Sequence, residues 1–396
     1  MRKLIYIIKA TSVVAFIFLC VNHVFPARNS VRVPSGEAEF RGLWVVRNKL
    51  SDKASIDRVL QFAQTQGFNQ LVLQVRGRGD AFYESSLVPK ESSITEENFD
   101  PLRYAVTKAH ELGLEVHAWV NVYLLWTLPT MPDQKQHLLY RHPEWTDADF
   151  RGQMNMQTDW TEARHGNGGG IYLAPTHPEV NPYLLRIIRE LIDHYAIDGI
   201  HLDYIRYRGA QYGFNPTGRK IFLHRYGVDP LEIGVRRTPR DLPWDDQIFE
   251  TYTRVWYRYR QSKVTEFVRA AKRLCDANGL QLSAAVKPIP EQAEKLYFQD
   301  WSAWMKEGLL HFVVPMNYTT EPDNFLQNLL LIRDVTDPEQ VVMGIAVYNQ
   351  PGSSAAKKLR LTRENGFRGV CFFSYTTFEE YPGYIDTLKR YFALDD

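Results

Sequence analysis

Residues 198–207, "DGIHLDYIRY", decide how the rest of the chain is read. Ile200, Leu202 and Ile205 mark a buried strand, yet His201, Asp203 and Arg206 stand among them. Burying an isolated charge is costly, so an Asp in this setting is paired, hydrogen-bonded or kept for chemistry. Alternation along a strand sends Ile200 and Leu202 to one face and His201 and Asp203 to the other.

Seven further runs share the strand character of this one: "RGLWVV", "QLVLQVRG", "EVHAWVNVY", "LQLSAAVKP", "HFVVPMNYT", "QVVMGIAVY" and "GVCFFSY". Helical patterns fall between them at 52–67, 101–113, 178–195, 246–279, 301–308, 323–335 and 354–366, most ending in Gly as helices often do. Eight strands alternating with helices predict an α/β fold, a (β/α)8 TIM barrel with long loops after strands 3 and 4. An open doubly wound sheet fits less well, because no nucleotide fingerprint supports it.

In a barrel one parity of each strand packs under the helices and the other points inward. Val116, Ala118 and Val120 then face out, while His117, Trp119 and Asn121 face in, and Gln74 and Arg76 do the same on strand 2. Lys287 and Asn317 add polar groups near the same strand ends. Asp203 lies toward the C-terminal end of strand 4, the face on which barrel enzymes carry their catalytic groups.

The composition suits a large core, with 396 residues, 44% apolar and 13% aromatic. Lys and Arg total 47 against 46 Asp and Glu, a balance that argues against a nucleic-acid binder, which usually carries a basic face. Arg2, Lys3 and Lys9 flank and precede the apolar stretch 10–21, so residues 1–27 read as a signal peptide or N-terminal membrane anchor. Residues 28–38 then form a linker and 39–396 the barrel domain. Cys20 suggests a lipid-attachment site, against which stands the bulky Leu19. Cys275 and Cys371 show no metal spacing and are expected as two buried thiols.

The ordered segments "FRGLWVV", "QVRGRGDAFYES", "GLEVHAWVNVY", "YLAPTHPEV", "DGIHLDYIRY", "VPMNY", "MGIAVYN" and "GVCFFSY" resemble the signatures of glycosyl hydrolase-like family 10 over residues 39–392. These are bacterial envelope TIM-barrel proteins, among them a division-associated enzyme that cuts peptidoglycan glycan strands stripped of their peptides. The resemblance implies Asp203 as the leading catalytic carboxylate and gives Asp80 a family counterpart after strand 2. Relatives in the wider α-galactosidase-like group carry their acid after strand 6, where this chain has Glu321. Two departures bear on specificity: family members often read Asp-Asp-Tyr where this chain has Asp203, Tyr204 and Ile205, and Asn-Pro-Tyr-Arg where it has Asn121, Val122, Tyr123 and Leu124.

Glycoside cleavage needs two carboxyl groups, so the catalytic candidates are Asp203 with Glu321 or Asp80. Each alternative has a plain reading, since Glu321 before Pro322 suits a helix start and Asp80 suits the turn made by Gly77 and Gly79. The candidate substrate-binding residues are Arg76, His117, Asn121, Tyr123, His201, Arg206, Lys287, Asn317, Tyr318, Tyr348 and Tyr375. Trp126, Trp145, Trp160, Tyr212 and Trp244 lie in the two long connections, 124–176 and 208–245, as possible sugar-stacking rings that can equally pack under their own loops. No metal or cofactor motif is present, so the expected chemistry is carried by carboxylates alone. The expected function is an exported glycoside hydrolase acting on a polysaccharide, with a non-catalytic carbohydrate-binding or scaffolding barrel as the alternative. Any membrane association would run through the N-terminus, and the oligomeric state is left open.

Overall fold

A computed structural model describes residues 39–157, 169–234 and 246–392. All eight strand readings hold: β1 (Phe40–Val45), β2 (Gln70–Arg76), β3 (Glu115–Asn121), β4 (Gly199–Asp203), β5 (Gln281–Val286), β6 (Phe312–Pro315), β7 (Val342–Ala346) and β8 (Gly369–Phe373). They pair in parallel in the order β6-β5-β4-β3-β2-β1-β8-β7. The remaining edges, β6 and β7, meet through isolated parallel bridges, Val313 with Val341 and Met316 with Gly344. The result is a nearly closed barrel with one weaker seam.

Helices cover the outside: α1 (Lys53–Thr65), α2 (Pro101–Glu111), α3 (Val180–His194), α4 (Asp246–Asp276), α5 (Trp301–Lys306), α6 (Pro322–Arg333), α7 (Gly352–Glu364) and α8 (Tyr384–Phe392). Several starts follow from local chemistry. Asp52, Asp100 and Asp300 each accept a hydrogen bond from a first-turn amide, satisfying donors that the helix itself leaves free.

The alternation read from the sequence sorts the two faces as expected. Leu71, Leu73, Val116, Ala118, Val120, Ile200 and Leu202 join the core beneath the helices. Phe40, Trp44, Val72, Trp119, Ala285, Phe312, Val314, Val342 and Cys371 fill the barrel interior. Cys275 and Cys371 are buried free thiols.

Both long connections rise where they were expected, and they are knitted to each other. Leu124–Trp126 pairs antiparallel with Ile171–Tyr172 in the first, and helices Pro216–Tyr226 and Pro230–Gly234 lie in the second. Asn215 donates to the carbonyls of Glu144 and Thr146, both at 2.8 Å, while Asp147 accepts from the Gly213 amide at 3.2 Å. The N-terminal segment read as a signal or anchor lies outside the described residues. Among the described residues no helix is long and apolar enough to cross a membrane.

Candidate functional site

A cavity of about 450 Å³ opens at the C-terminal end of the strands, and Asp203 is the single carboxylate among the described residues that line it. Asp203 is the last residue of β4 and is 7% exposed. The next residue, Tyr204, takes φ +49°, an uncommon conformation for a side chain of this size, and its amide donates to Asp203 Oδ1 at 2.6 Å. Such strain is tolerated where the surroundings over-determine it, often at functional sites.

Burial pushes the Asp203 carboxyl above its ordinary value, and Arg206, the Tyr204 amide, Lys287 and the Trp119 indole pull against that. Lys287 is thus a cationic neighbour of Asp203. Arg76, read from the alternation as facing inward, is not. A bulge between Gln74 and Arg76 sets Arg76 opposite Val120, an outward-facing position. Its guanidinium bonds the Asn121 carbonyl, is fully buried, and takes its electrostatic support from Tyr183, Tyr83 and Asp80.

The remaining candidates divide by whether they reach the cavity. Asn121, Arg206, Lys287 and Tyr318 line it. Asn121 is fixed there, accepting from the Trp119 indole and donating to the Gly77 carbonyl, both at 2.9 Å. Arg206 lies over the rings of Tyr204 and Tyr297, 4.8 and 5.2 Å from their centroids. Burial works against its charge, and Tyr172, Tyr204, Asp203 and Tyr297 outweigh it. Burial and the neighbouring Arg206 bring Lys287 down to about 8, against the attraction of Asp203. Tyr318 stacks on Phe373 at 5.7 Å, and Tyr348, 58% exposed, closes edge-on against both rings as an outer rim.

The other candidates serve the scaffold. His201 accepts the Trp44 indole N–H at Nε2 (3.3 Å) and bonds Ser283 through Nδ1 (2.9 Å), one layer below Asp203. His117 bonds Gln70 deeper still. Burial drives them down to about 3 and about 4, so both stay neutral, as buried and bonded core histidines. Tyr123 is directed outward to Asn181 at 2.9 Å. Asn317 anchors α6, donating to the Phe325 carbonyl and accepting from Asn328. Tyr375 packs edge-on against Phe62 of α1, in the outer layer.

Neither proposed partner carboxyl lines the cavity. Glu321 is exposed at the start of α6, with no side-chain capping bond, so its plain reading as a helix-start residue holds. Asp80 accepts from the amides of Arg78 (2.9 Å) and Gly77 (3.2 Å), satisfying the turn that Gly79 makes at φ +75°. Burial would raise Asp80, but a hydrogen bond with Glu91, the turn amides and Arg47 hold it below its ordinary value.

The structure adds residues that the sequence reading passed over. Arg47 and Arg78 line the Asp203 cavity and also an adjoining one of about 420 Å³ that holds Glu91 and Ser93. Burial and Asp80 push Glu91 above its ordinary value, while Asp80 is held below its own. Arg47 and Arg78 lie just past the C-terminal ends of β1 and β2, so the strand-end rule applied to every strand would have found them. Trp126, Trp145 and Tyr212 are buried under their own loops, while Trp160 and Trp244 lie outside the described residues. Among the described residues no group of His, Cys, Asp and Glu is arranged to hold a metal.

The glycoside hydrolase domain of PgaB from Bordetella bronchiseptica superposes with a TM-score of 0.64 at 11% identity, covering 91% of this chain and all of that one. An α-L-fucosidase from Paenibacillus thiaminolyticus follows at 0.58 and 14%, covering 89% of this chain and 49% of its own. At such identities these likenesses speak for the fold. In sequence the chain is 29% identical to the glycosyl hydrolase DigH of Escherichia coli over 326 residues, 76% of this chain and 67% of DigH. It is 24% identical to the glycosyl hydrolase YngK of Bacillus subtilis over 288 residues, 69% of this chain, and spans about half of YngK, 51%. The profile of Glycosyl hydrolase-like 10 matches residues 39–343, which take in β1 to β6 and every residue of the Asp203 cavity except Phe373, and the chain belongs to that family.

Proposed function

We propose that the protein is an exported glycoside hydrolase that cleaves glycosidic bonds within a polysaccharide, with peptidoglycan glycan strands as the favoured substrate. The observation that carries this reading is Asp203, a buried carboxylate on the last residue of β4, facing a cavity at the catalytic end of a glycosyl hydrolase-like barrel. Tyr318 and Phe373 offer an aromatic wall to a sugar face, and Asn121 and Lys287 offer polar contacts. Asp203 stabilises or attacks the anomeric carbon as the glycosidic bond breaks, and Arg206, the Tyr204 amide and Lys287 favour its ionised form against burial. The proton for the leaving oxygen comes from a second carboxyl, and Glu91, beyond the Arg47 and Arg78 wall, is a described carboxyl beside the cavity that burial and Asp80 push above its ordinary value. Export rests on the basic and apolar N-terminus, and the choice of substrate on the resemblance of the signature segments to glycosyl hydrolase-like family 10.

A second reading, a carbohydrate-binding barrel without hydrolysis, is favoured by one observation, the single carboxylate among the described cavity residues. One experiment separates the two. The protein is incubated with peptide-free glycan strands and with other polysaccharides, and new reducing ends are measured for the native chain and for Asp203→Asn. The amide keeps the shape but cannot carry the charge, so release should fall by about 10³-fold or more with the melting temperature retained. Activity within about tenfold of native removes Asp203 from the chemistry, and binding without reducing ends in the native chain selects the second reading.

A further inference from the structure

Four cations line the Asp203 cavity: Arg47, Arg78, Arg206 and Lys287. Some arginines elsewhere pair with carboxylates, as Arg219 with Asp229, Arg269 with Glu307 and Arg363 with Glu39, and the buried Arg260 instead donates to the carbonyls of Ala210 and Tyr212. Among the described residues none of the four cavity cations has a carboxylate within 4.0 Å, the limit for an ion pair. They also oppose one another. Arg206 helps to bring Lys287 down to about 8, and Arg47 lowers Arg78. Arg206 is 3% exposed, with Nε and Nη1 buried and without hydrogen-bond acceptors.

Half-buried cations facing one another weigh on a fold, since each loses hydration, and the one lining carboxylate, Asp203, with the Tyr204 and Tyr297 rings answers only part of their charge. The total charge does not call for them, because the chain is balanced at +1. A concave, low-dielectric wall concentrates their field on whatever enters. From this arrangement we propose that the cavity selects glycans whose sugar units carry a carboxylate, which docks among Arg206, Lys287, Arg47 and Arg78 beside the bond presented to Asp203. The carboxylate can sit on the sugar ring or on an ether-linked substituent. The proposal rests on the sugar-binding part of the proposed function and does not require hydrolysis.

Binding to the purified full-length chain is measured by calorimetry with two matched pairs of probes. One pair is a hyaluronan hexasaccharide and its carboxyl-reduced form, which tests a ring carboxylate. The other is N-acetylmuramic acid and N-acetylglucosamine, which tests an ether-linked one. At least one acidic probe should bind about tenfold or more tightly than its neutral partner, an advantage that shrinks as salt screens the charges. The pair that shows the preference identifies the source of the carboxylate. Arg206→Met combined with Lys287→Met should abolish the preference, and Arg47→Met, at the half-buried wall, should reduce it severalfold if the double variant fails to fold. Equal binding within both pairs, or absence of binding in both, overturns the proposal, as does a preference that survives these substitutions. Asp203→Asn should keep the preference while losing cleavage, so this inference and the hydrolase reading can fail separately.

Discussion

In the lower interior of the barrel, polar side chains are matched to one another: His201 sits between Trp44 and Ser283, and His117 bonds Gln70. At the mouth, above the same layer, Arg206, Lys287, Arg47 and Arg78 face the cavity with Asp203 as the one carboxylate among the described residues that line it. The first region spends its polar groups on holding the barrel together. The second keeps charge in reserve at a cost to stability, which is expected where a ligand completes the set. The position of a buried polar group in a strand is therefore less informative than whether its partners are already present.

The largest effect that tests this contrast concerns Glu91, the carboxyl read as the proton donor. Glu91→Gln removes the proton but keeps the side chain's size, so cleavage of substrates with poor leaving groups should fall by about 10² to 10⁴-fold. An activated aryl glycoside needs little protonation and should lose far less. Equal losses on both substrates would give Glu91 a structural part in the Arg47 and Arg78 wall instead.

A smaller effect belongs to the matched region. His201 and His117 are driven down to about 3 and about 4 from an ordinary value of 6.5. In the unfolded chain they gain protons first, so the stability they confer is complete above about pH 6.5 and is lost as pH falls toward 4 and 3. By pH 4 this comes to about 3 kcal/mol for each. Asp147, raised to about 8 by burial, works in the opposite sense over the same range, so the difference against a variant is the clean measure. Between pH 7 and 4 the native chain should lose melting temperature more steeply than His201→Gln. Parallel profiles would show that His201 is not held neutral by its surroundings.

How much of this was legible in the sequence follows the same division. The strands were readable because each carries a period-two run, and Asp203 because that period and its place at a strand end agree. Arg76 was misplaced for a specific reason: the bulge at the end of β2 adds one residue and reverses the parity that counting assigns. Tyr123 follows the end of β3, where alternation no longer governs direction. Glu91 gave no signal, because its role depends on a bridge between Ala81 and Lys90 that brings a distant turn beside Asp80. Periodicity reports faces of elements, whereas contacts between connections are set by tertiary packing.

The smallest expected effect is the one that sharpens the contrast most. Glu321 was a candidate acid because of its position after β6, yet it is exposed at the helix start and its side chain accepts only a long hydrogen bond from Thr320, at 3.5 Å, among the described residues. It is also absent from the lining of the Asp203 cavity. Glu321→Gln should therefore change stability by no more than about 0.5 kcal/mol, the usual range for surface substitutions, and leave cleavage of natural and activated substrates within about twofold. Selective loss on substrates with poor leaving groups would return Glu321 to the role of acid and would mean that the loop after β6 closes over the cavity when sugar binds. Rates for the two substrate classes, measured side by side for Glu321→Gln and Glu91→Gln, decide which carboxyl completes the pair with Asp203.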